Sequence, residues 1–450
     1  MPLPKYLLAA TANPESNRRA WYKNTAPAYA GIFLSVVFYL QLSSIPLGSD
    51  GIGMGLIALA VGGLLCCMFY YAPAMLGMKT GQHLYVVGTS TFGVQGNYFP
   101  GLLMGLLQVG FIGANTYFAV DFIMRGLHAG SPELRVALVI VWAYVFAWVA
   151  MRGISHVARA AQILNWIPLA MLVIVFFATR HGLSHFQPAV HHPAESFALT
   201  LDFVLGYIAT AAAAGADFGS NSRNRGDVIR GGLVGIALAV FVAGGLAMLG
   251  VAGAMGLHVA IPAGVSSPFD FTTAISSVGP LSGIIFFLFA AALLVPTAFC
   301  TFIATNSLTT MLPVAKREFW AFAAASGGIL LAATGVAENL HAFFGLVGAS
   351  FAPVCGAMAA DYWLAGKRWS GPRHGINWAG FAAWIVGFWI GDMGRLGMGP
   401  ASWQQVDHPS ILYAFIAAFA VYWVLARAGV RPAVVAASEL EAMTAGKRHE

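Results

Sequence analysis

The chain has 450 residues, of which 59% are hydrophobic and only 9% are Asp, Glu, Lys or Arg. Soluble domains carry about 25% charged residues, so this composition excludes soluble enzymes, disordered tails and disulfide-stapled secreted domains. The apolar residues come in blocks of about 20 without period-2 alternation. The sequence therefore predicts an all-α polytopic membrane protein rather than a β-barrel.

Neither the net charge nor the cysteines indicate a nucleic-acid partner or a bound metal. The net charge of +6 is not gathered into the basic face that nucleic-acid binding requires, so no nucleic-acid partner is expected. Cys66, Cys67, Cys300 and Cys355 all fall in apolar blocks, where cysteine is usually a small core residue rather than a metal ligand. Residues 1–25 are polar and charged, and no signal peptide is predicted.

Twelve transmembrane helices are predicted from the apolar blocks and the turn residues between them. We number these spans 1 to 12 in chain order and keep the numbers below. Their predicted limits are 27–47, 52–76, 99–125, 135–151, 160–179, 199–218, 230–256, 281–306, 317–336, 340–365, 377–394 and 410–428.

The distribution of Lys and Arg supports this topology. With a cytoplasmic N-terminus, the inside segments hold 19 of the 23 basic residues and the outside segments hold the other four. Such a bias follows the positive-inside rule. It predicts a multi-pass protein of the bacterial plasma (inner) membrane, with a cytoplasmic N-terminal segment, 1–26, and a cytoplasmic tail, 429–450.

Two spans carry residues that interrupt a transmembrane helix. Span 1 has polar residues, a proline and a glycine over 41–48, and span 6 has Gly206, a run of alanines, Gly215 and Asp217. Backbone unwinds at membrane depth only where it is buried in protein or lines a cavity, and paired interruptions are typical of transporters. The alternative is ordinary packing of small residues between helices.

The positions of these interruptions predict the domain organisation. Spans 1 and 6 each begin a unit of five helices, as an inverted repeat requires. We therefore expect a five-plus-five inverted-repeat core over 27–366, with broken helices 1 and 6, followed by two additional helices over 367–428.

Span 3 carries a polar face inside the membrane. Gln108, Phe111 and Asn115 are spaced i, i+3 and i+7 and lie on one side of a helix. An aromatic plate between two amides suits a flat heterocycle, because amides donate and accept hydrogen bonds without carrying charge. The alternative is that the two amides hydrogen-bond to neighbouring helices.

Hydroxyl groups cluster at the end of span 8, at Thr301, Thr305 and 307–310. They either bond back to the helix's own carbonyls or join carbonyl oxygens around a hard cation such as Na⁺.

No catalytic constellation occurs in the apolar blocks, so an enzyme is not expected. A metal site is not expected at the four histidines between spans 5 and 6 either, because their spacing fits no usual ligand pattern. These are His181, His185, His191 and His192. After span 6, Asp217 with Arg223 and Arg225 suggests an ion-pair cluster.

Several short fragments of this chain match fragments of a known protein family, in the same order along nearly the whole chain. They are Gly77-Met78-Lys79-Thr80-Gly81, Gln108-Val109-Gly110-Phe111-Ile112-Gly113, Ala216-Asp217-Phe218 with Arg223-Asn224, Thr305-Asn306, Pro353 with Gly356 and Ala360-Asp361-Tyr362, and Asn377-Trp378. On these fragments the chain resembles the nucleobase:cation symporter-1 family, and within it the cytosine permease branch.

The resemblance implies the five-plus-five fold that the family shares with sodium symporters. It also implies import of a nucleobase or related planar heterocycle by alternating access, driven by Na⁺ or H⁺, in a lipid-embedded monomer or weak oligomer with no other cofactor. The alternative is a symporter of the same fold that carries amino acids or another small neutral solute.

The resemblance also assigns substrate-binding residues. Phe111 stands where the family usually has a tryptophan that stacks on the base, with Gln108 and Asn115 around that ring. The second stacking aromatic aligns with Ile208 without a gap or with Tyr207 after a one-residue shift. Tyr207 is favoured because stacking needs an aromatic ring.

Two further positions match substrate contacts of family members. Gln41, in the interrupted part of span 1, matches a glutamine that binds the edge of the substrate. Thr310 stands where some members have an asparagine that faces the substrate.

The sodium site of the family maps onto spans 1 and 8. Its carbonyl ligands fall near Val37 and Leu40, and its span 8 ligands fall at Thr301, Ala304 and Thr305. Ala304 replaces one of the usual hydroxyls, so one oxygen is missing. Since Na⁺ needs about five or six oxygens, this loss leaves coupling to H⁺ open as the alternative.

Overall fold

The computed structural model describes residues 3–151, 164, 166–265, 267–394, 397, 409–436, 438 and 439. All regular secondary structure in these residues is helical. The predicted start of span 5 at 160 and much of the predicted tail over 429–450 lie outside the described residues.

The observed helices follow the predicted spans in order. Span 1 comprises Thr25–Phe33, Val36–Tyr39 and Ser44–Ser49; span 2 is Ile52–Thr80; span 3 is Tyr98–Gly126; span 4 is Pro132–Met151; span 5 is Trp166–Thr179; span 6 comprises Pro193–Ala213 and Gly215–Gly219; span 7 is Arg225–Gly256; span 8 comprises Ser282–Ala292 and Leu294–Met311; span 9 is Arg317–Ala333; span 10 is Leu340–Leu364; span 11 is Trp378–Asp392; and span 12 is Ser410–Arg427.

The described residues contain nine helices that are long and apolar enough to cross a membrane, or ten when the bent pair of span 1 counts as one crossing. The helices of spans 9 and 11 have 17 and 15 residues. At a rise of 1.5 Å per residue they are shorter than a hydrocarbon core of about 30 Å. The polytopic helical fold is therefore confirmed, and the count of twelve crossings stays a prediction.

Both terminal segments lie at one end of the helix bundle. The Tyr6 hydroxyl donates to the Val94 carbonyl over 2.6 Å, and the Val94 amide donates to the Arg373 carbonyl over 2.8 Å. The Val435 amide, in turn, donates to the Pro372 carbonyl over 2.8 Å. We call this side of the protein the terminal end and the opposite side the far end.

Span 1 is interrupted at two places. The chain bends by 51° between Phe33 and Val36, where Ser35 is extended, and a second turn covers 40–43. The predicted interruption over 41–48 was therefore only partly right, because helix resumes at Ser44. Pro46 is tolerated there since it lies in the first turn of Ser44–Ser49, where its missing N–H costs no helical hydrogen bond.

Span 6 is interrupted at Ala214, between its long half and the short helix Gly215–Gly219. This break falls inside the predicted stretch. Gly77 of span 2 packs against the second half, because a Cβ at position 77 would lie 2.0 Å from the Ala216 carbonyl oxygen. Only glycine allows this approach of two backbones.

Two tyrosines link the broken helices reciprocally. The Tyr29 hydroxyl in span 1 donates to the Ala211 carbonyl of span 6 over 2.8 Å. The Tyr207 hydroxyl in span 6 donates to the Ile32 carbonyl of span 1 over 2.6 Å. Each acceptor lies just before a break, where carbonyls lose helical partners and need others inside a membrane. Each broken helix is thus capped by a side chain of the other.

Removal of one cap should destabilise the protein. Tyr29 is fully buried, so Tyr29→Phe leaves the Ala211 carbonyl without this donor. We expect a loss of about 1–3 kcal/mol in the free energy of unfolding, seen as a lower melting temperature in detergent. Tyr22→Phe, at an exposed tyrosine, is the control and should melt like the wild type. Equal melting temperatures for all three proteins would contradict the capping role.

Candidate functional site

Aromatic rings from four spans meet between the two helix breaks. Phe111 of span 3 has ring-centroid distances of 6.1 Å to Tyr207, 4.9 Å to Phe343 and 6.1 Å to Phe344. Tyr207 lies 4.9 Å from Phe38 of span 1. We call these five residues the ring junction. Spans 1, 3, 6 and 10 all supply rings to it, so a ligand there would contact both broken helices.

The two predicted amides flank Phe111 in the interior. Gln108 and Asn115 are 5% and 2% exposed. The Gln108 amide donates to the Met104 sulfur over 3.8 Å, and the Asn115 amide donates to the Cys300 sulfur over 3.9 Å. Sulfur is a weak acceptor, so these contacts satisfy a buried amide poorly. The amides are therefore able to exchange them for the edge of a ligand.

The structure brings Tyr207 rather than Ile208 to Phe111. The Tyr207 ring meets the Phe111 ring edge-on, with the two planes at 78°. Ile208 is fully buried and projects about 100° further around the helix axis.

Gln41 links span 1 to the start of span 10. Its amide nitrogen donates to the Glu338 carbonyl over 2.9 Å, and its amide oxygen accepts from the Leu340 backbone N–H over 3.3 Å. The Gln41 carbonyl accepts from the Ser44 hydroxyl over 2.6 Å. The side chain predicted to bind the substrate edge thus holds two helix ends together here.

A cavity of about 870 Å³ lies toward the far end of the bundle, and we call it the far-end cavity. Its lining includes Gln41, Gly110, Ala114, Asp270, His341 and Phe343. Phe343 lines the cavity and also packs on Phe111. The Phe343 ring thus lies between the cavity and Phe111, and neither Gln108 nor Asn115 lines the cavity.

Thr310 lies away from the other predicted substrate residues. It is in the last turn of span 8, where Met311 packs on Gly101 and Leu308 packs on Gly105. This register places Thr310 at the level of the first turns of span 3. Phe111 is roughly 13 Å further along that helix at 1.5 Å per residue.

The predicted sodium ligands are all buried. Thr301 and Thr305 donate their hydroxyls to the carbonyls four residues earlier, over 2.8 Å and 2.7 Å. The Leu40 carbonyl accepts from the Phe271 backbone N–H over 2.9 Å. The two hydroxyls and the carbonyls of Leu40 and Val37 are four oxygens, and the Ala304 side chain supplies no hydroxyl, so the mapped set is smaller than the five or six oxygens that Na⁺ prefers.

The remaining polar clusters of the sequence are the four histidines between spans 5 and 6 and the expected ion-pair cluster after span 6. Among the described residues, no three His, Cys, Asp or Glu side chains gather to hold a metal ion. Asp217 does not pair with the arginines that follow span 6: it contacts the His83 ring nitrogen at 3.0 Å and accepts from the Leu84 backbone N–H. Arg223 pairs instead with Asp227 over 2.8 Å, so the expected cluster is two separate pairs.

Asp121, near the end of span 3, pairs with Arg125 at 2.6 Å, and Arg135 of span 4 also contacts Asp121, at 2.5 Å. Asp121 is thus neutralised by two arginines and links spans 3 and 4. Asp361 of span 10 is buried and accepts from Tyr422 of span 12 over 2.8 Å, which ties an additional helix to the core.

Sequence reasoning missed the partners of Phe111 in span 10 and the histidine that precedes them. Phe343 and Phe344 lie in an apolar block and carry no periodic signal that separates site residues from ordinary core. His341, two residues earlier, was the available signal, since an ionisable residue inside a membrane span usually marks function.

The fold and the site define a class of protein. Two cross-capped broken helices around an uncharged, aromatic interior belong to a membrane transporter of the inverted-repeat type. The comparisons with known proteins specify this class further. The family model for permeases of cytosine/purines, uracil, thiamine and allantoin matches residues 13–408. The chain belongs to this permease family.

Solved structures support the same assignment at the level of fold. The inward-facing conformation of Mhp1 is 18% identical, with a TM-score of 0.70, and the match covers 96% of this chain and 98% of that one. A closed conformation of Mhp1, a nucleobase-cation-symport-1 family transporter, with bromovinylhydantoin bound is also 18% identical, with a TM-score of 0.68 and coverages of 95% and 98%.

A Na⁺-coupled sialic acid symporter in an outward-open, substrate-bound state is 14% identical, with a TM-score of 0.63 and coverages of 94% and 92%. No curated protein sequence matches the chain.

The His83–Asp217 contact should make the terminal end sensitive to pH. The hydrogen bond to Asp217 raises the pKa of His83 above its ordinary value of 6.5. A group whose pKa rises on folding stabilises the protein fully below its unfolded pKa and loses that effect as pH passes its folded pKa. We therefore expect His83→Gln to lower the melting temperature most below about pH 6.5, with the difference vanishing at higher pH.

The control is His181→Gln, at an exposed histidine of the far-end loop, which should show no such trend. A difference between wild type and His83→Gln that is the same at every pH would contradict the ionised pair.

Proposed function

We propose that the protein carries one neutral planar heterocycle, a nucleobase or a close relative, across the membrane together with a cation and without changing it chemically. The observation that carries this proposal is the ring of Phe111 between two buried amides, facing Tyr207 at the point where both broken helices meet. The membership of a permease family for such compounds supports it.

The chemistry of the site favours a neutral ligand over a charged one. The ring junction and its flanking amides contain no ionised side chain. An ion taken from water into such a site would lose its hydration without gaining a counter-charge. A nucleobase loses less, because its faces pack on rings and its N–H and C=O edges match Gln108 and Asn115.

The ring junction is closed in this structure, and a ligand must displace contacts between rings to enter it. Phe343 separates the far-end cavity from Phe111, so its ring is the barrier on that side. Gln41 holds the start of span 10 beside this barrier. A substrate edge that competes for the Gln41 amide would loosen span 10 and expose Phe111.

The terminal end of the bundle is closed and the far end is open, as alternating access requires of one state of a transporter. At the terminal end, the N-terminal segment is hydrogen-bonded across the bundle: the Arg19 amide donates to the Asn221 carbonyl over 2.8 Å, and the Asn13 amide donates to the Gly81 carbonyl over 2.8 Å. The far end holds the open cavity. With the terminal end in the cytoplasm, as the positive-inside rule predicts, this arrangement corresponds to loading from outside and import.

Phe111 and Asn115 test the binding site. We expect Phe111→Leu to weaken the affinity for the best-binding compound of a nucleobase and allantoin panel about 5- to 150-fold, since stacking on an aromatic ring is worth about 1–3 kcal/mol per base. Asn115→Leu should weaken it comparably, because the base edge loses a hydrogen-bond partner. Affinity is measured by ligand titration on purified protein.

Two matched controls lie on the same helix. Phe122→Leu removes a buried ring that packs on Phe286 and Phe289 instead, and Thr116→Val alters a buried side chain beside Asn115. Neither should change the affinity, and Phe122→Leu should lower the stability because it loses buried ring packing. Equal affinities in Phe111→Leu and Phe122→Leu would refute the site, and binding of amino acids but no heterocycle by the wild type would refute the substrate class.

A further inference from the structure

His341 is the titratable side chain that lines the far-end cavity and also contacts a broken helix. It lies in the first turn of span 10. Its Nε2 atom is 3.4 Å from the Ser44 hydroxyl of span 1. Its ring lies 5.0 Å from the Phe203 ring of span 6. One imidazole thus contacts both halves of the inverted repeat and the cavity between them.

The contact with Ser44 leads directly to the break in span 1. The Ser44 hydroxyl donates to the Gln41 carbonyl over 2.6 Å, so its oxygen faces His341 as an acceptor. The Gln41 side chain in turn binds the backbone at Glu338 and Leu340, immediately before His341. The chain His341–Ser44–Gln41 therefore closes a loop of hydrogen bonds between span 1 and the start of span 10.

The acidic groups around this loop already have hydrogen-bond partners. Glu338, from the loop before span 10, accepts from the Tyr117 hydroxyl of span 3 over 2.9 Å. Asp202, next to Phe203 in span 6, accepts from the Ser410 hydroxyl of span 12 over 2.7 Å.

Asp270 lines the same cavity from the far-end loop and accepts from the backbone N–H and the hydroxyl of Thr272. Burial raises the pKa of Asp270 to about 6, which makes it the rival titrating group in the test below.

We propose, building on the transport function above, that the coupling cation is a proton and that His341 binds it. Imidazole is the side chain whose charge changes between pH 5 and 8. The proposal also accounts for the incomplete oxygen set at Ala304, since a proton needs no shell of five or six oxygens.

Protonation of His341 changes the strength of the link between spans 1 and 10. A lone pair on the imidazole takes up one H⁺ from the far-end cavity, and the cationic ring donates through Nε2 to the Ser44 oxygen. A hydrogen bond from a cation is shorter and about twice as strong as a neutral one, and the face of Phe203 stabilises the charge. Loss of H⁺ on the other side of the membrane returns the ring to its neutral, weakly bonded form.

The position of His341 keeps its imidazole from staying protonated throughout the transport cycle. A helix N-terminus disfavours a cation, and most of the cavity lining is apolar. The charged form therefore depends on the link to Ser44. Protonation thus strengthens the contact between span 1 and the start of span 10 beside the far-end cavity.

The test uses purified full-length protein in liposomes and the heterocycle identified by binding. The wild type should accumulate it when the lumen is alkaline, by up to about tenfold per pH unit for one proton per substrate, in sodium-free buffer. His341→Gln should keep affinity within threefold and keep substrate exchange, but lose accumulation and lose the pH dependence of uptake. His185→Gln, at an exposed far-end histidine, and Asp270→Asn should behave like the wild type.

Several results would overturn the proposal. These are accumulation by His341→Gln equal to that of the wild type, loss of accumulation in Asp270→Asn alone, loss of binding in His341→Gln, or wild-type uptake that follows a Na⁺ gradient and ignores the pH gradient. If His341→Gln does not fold, Ser44→Ala replaces it and should shift the pH midpoint of uptake to lower pH; an unchanged midpoint overturns the proposal. Failure of the transport function itself would appear earlier, as a wild type that binds no heterocycle.

Discussion

Peptide groups that leave a helix inside a membrane need new hydrogen-bond partners, and this need organises the whole protein. Lipid offers none, and an unsatisfied buried carbonyl costs several kcal/mol. Here the Tyr29 hydroxyl of span 1 caps span 6 and the Tyr207 hydroxyl of span 6 caps span 1. Each broken helix therefore depends on the other, and the two halves of the repeat cannot separate without exposing a carbonyl.

The same arrangement places the binding chemistry. The Tyr207 ring is held by its hydroxyl, so its face and edge are fixed relative to Phe38 and Phe111. A site built at such a junction moves whenever either broken helix moves. Charged groups are kept outside it: Asp121 is neutralised by two arginines, and Asp361 is held by Tyr422. The interior is left to rings and amides, which suits a neutral heterocycle.

Much of the fold and part of the candidate site were predictable, because the membrane imposes strong rules on the sequence. Long apolar blocks and the paired small and polar residues were enough to predict the polytopic helical fold and the two broken helices. The amide and aromatic face of span 3 followed from helical spacing alone. Tyr207 was preferred to Ile208 on chemistry; the Tyr207 ring lies beside the Phe111 ring, and its contact with a substrate stays a prediction.

Other features depend on contacts between residues far apart in the chain. The sharp bend at Ser35 has no proline or glycine within 32–38 to signal it. The Tyr207 hydroxyl, from another span, binds the Ile32 carbonyl beside the bend instead. Charge alone did not identify His83 as the partner of Asp217, since Arg223 and Arg225 lie much closer to Asp217 in the sequence. Phe343 and Phe344 look like any residues of an apolar block until span 10 is packed against spans 3 and 6.

A cryo-EM structure of the purified protein with its best-binding heterocycle would test the central claim most directly. The account predicts density for the ligand between the rings of Phe111 and Tyr207, with a polar edge within hydrogen-bond distance of Gln108 or Asn115. Density confined to the far-end cavity, with the five rings packed on one another as they are here, would contradict it.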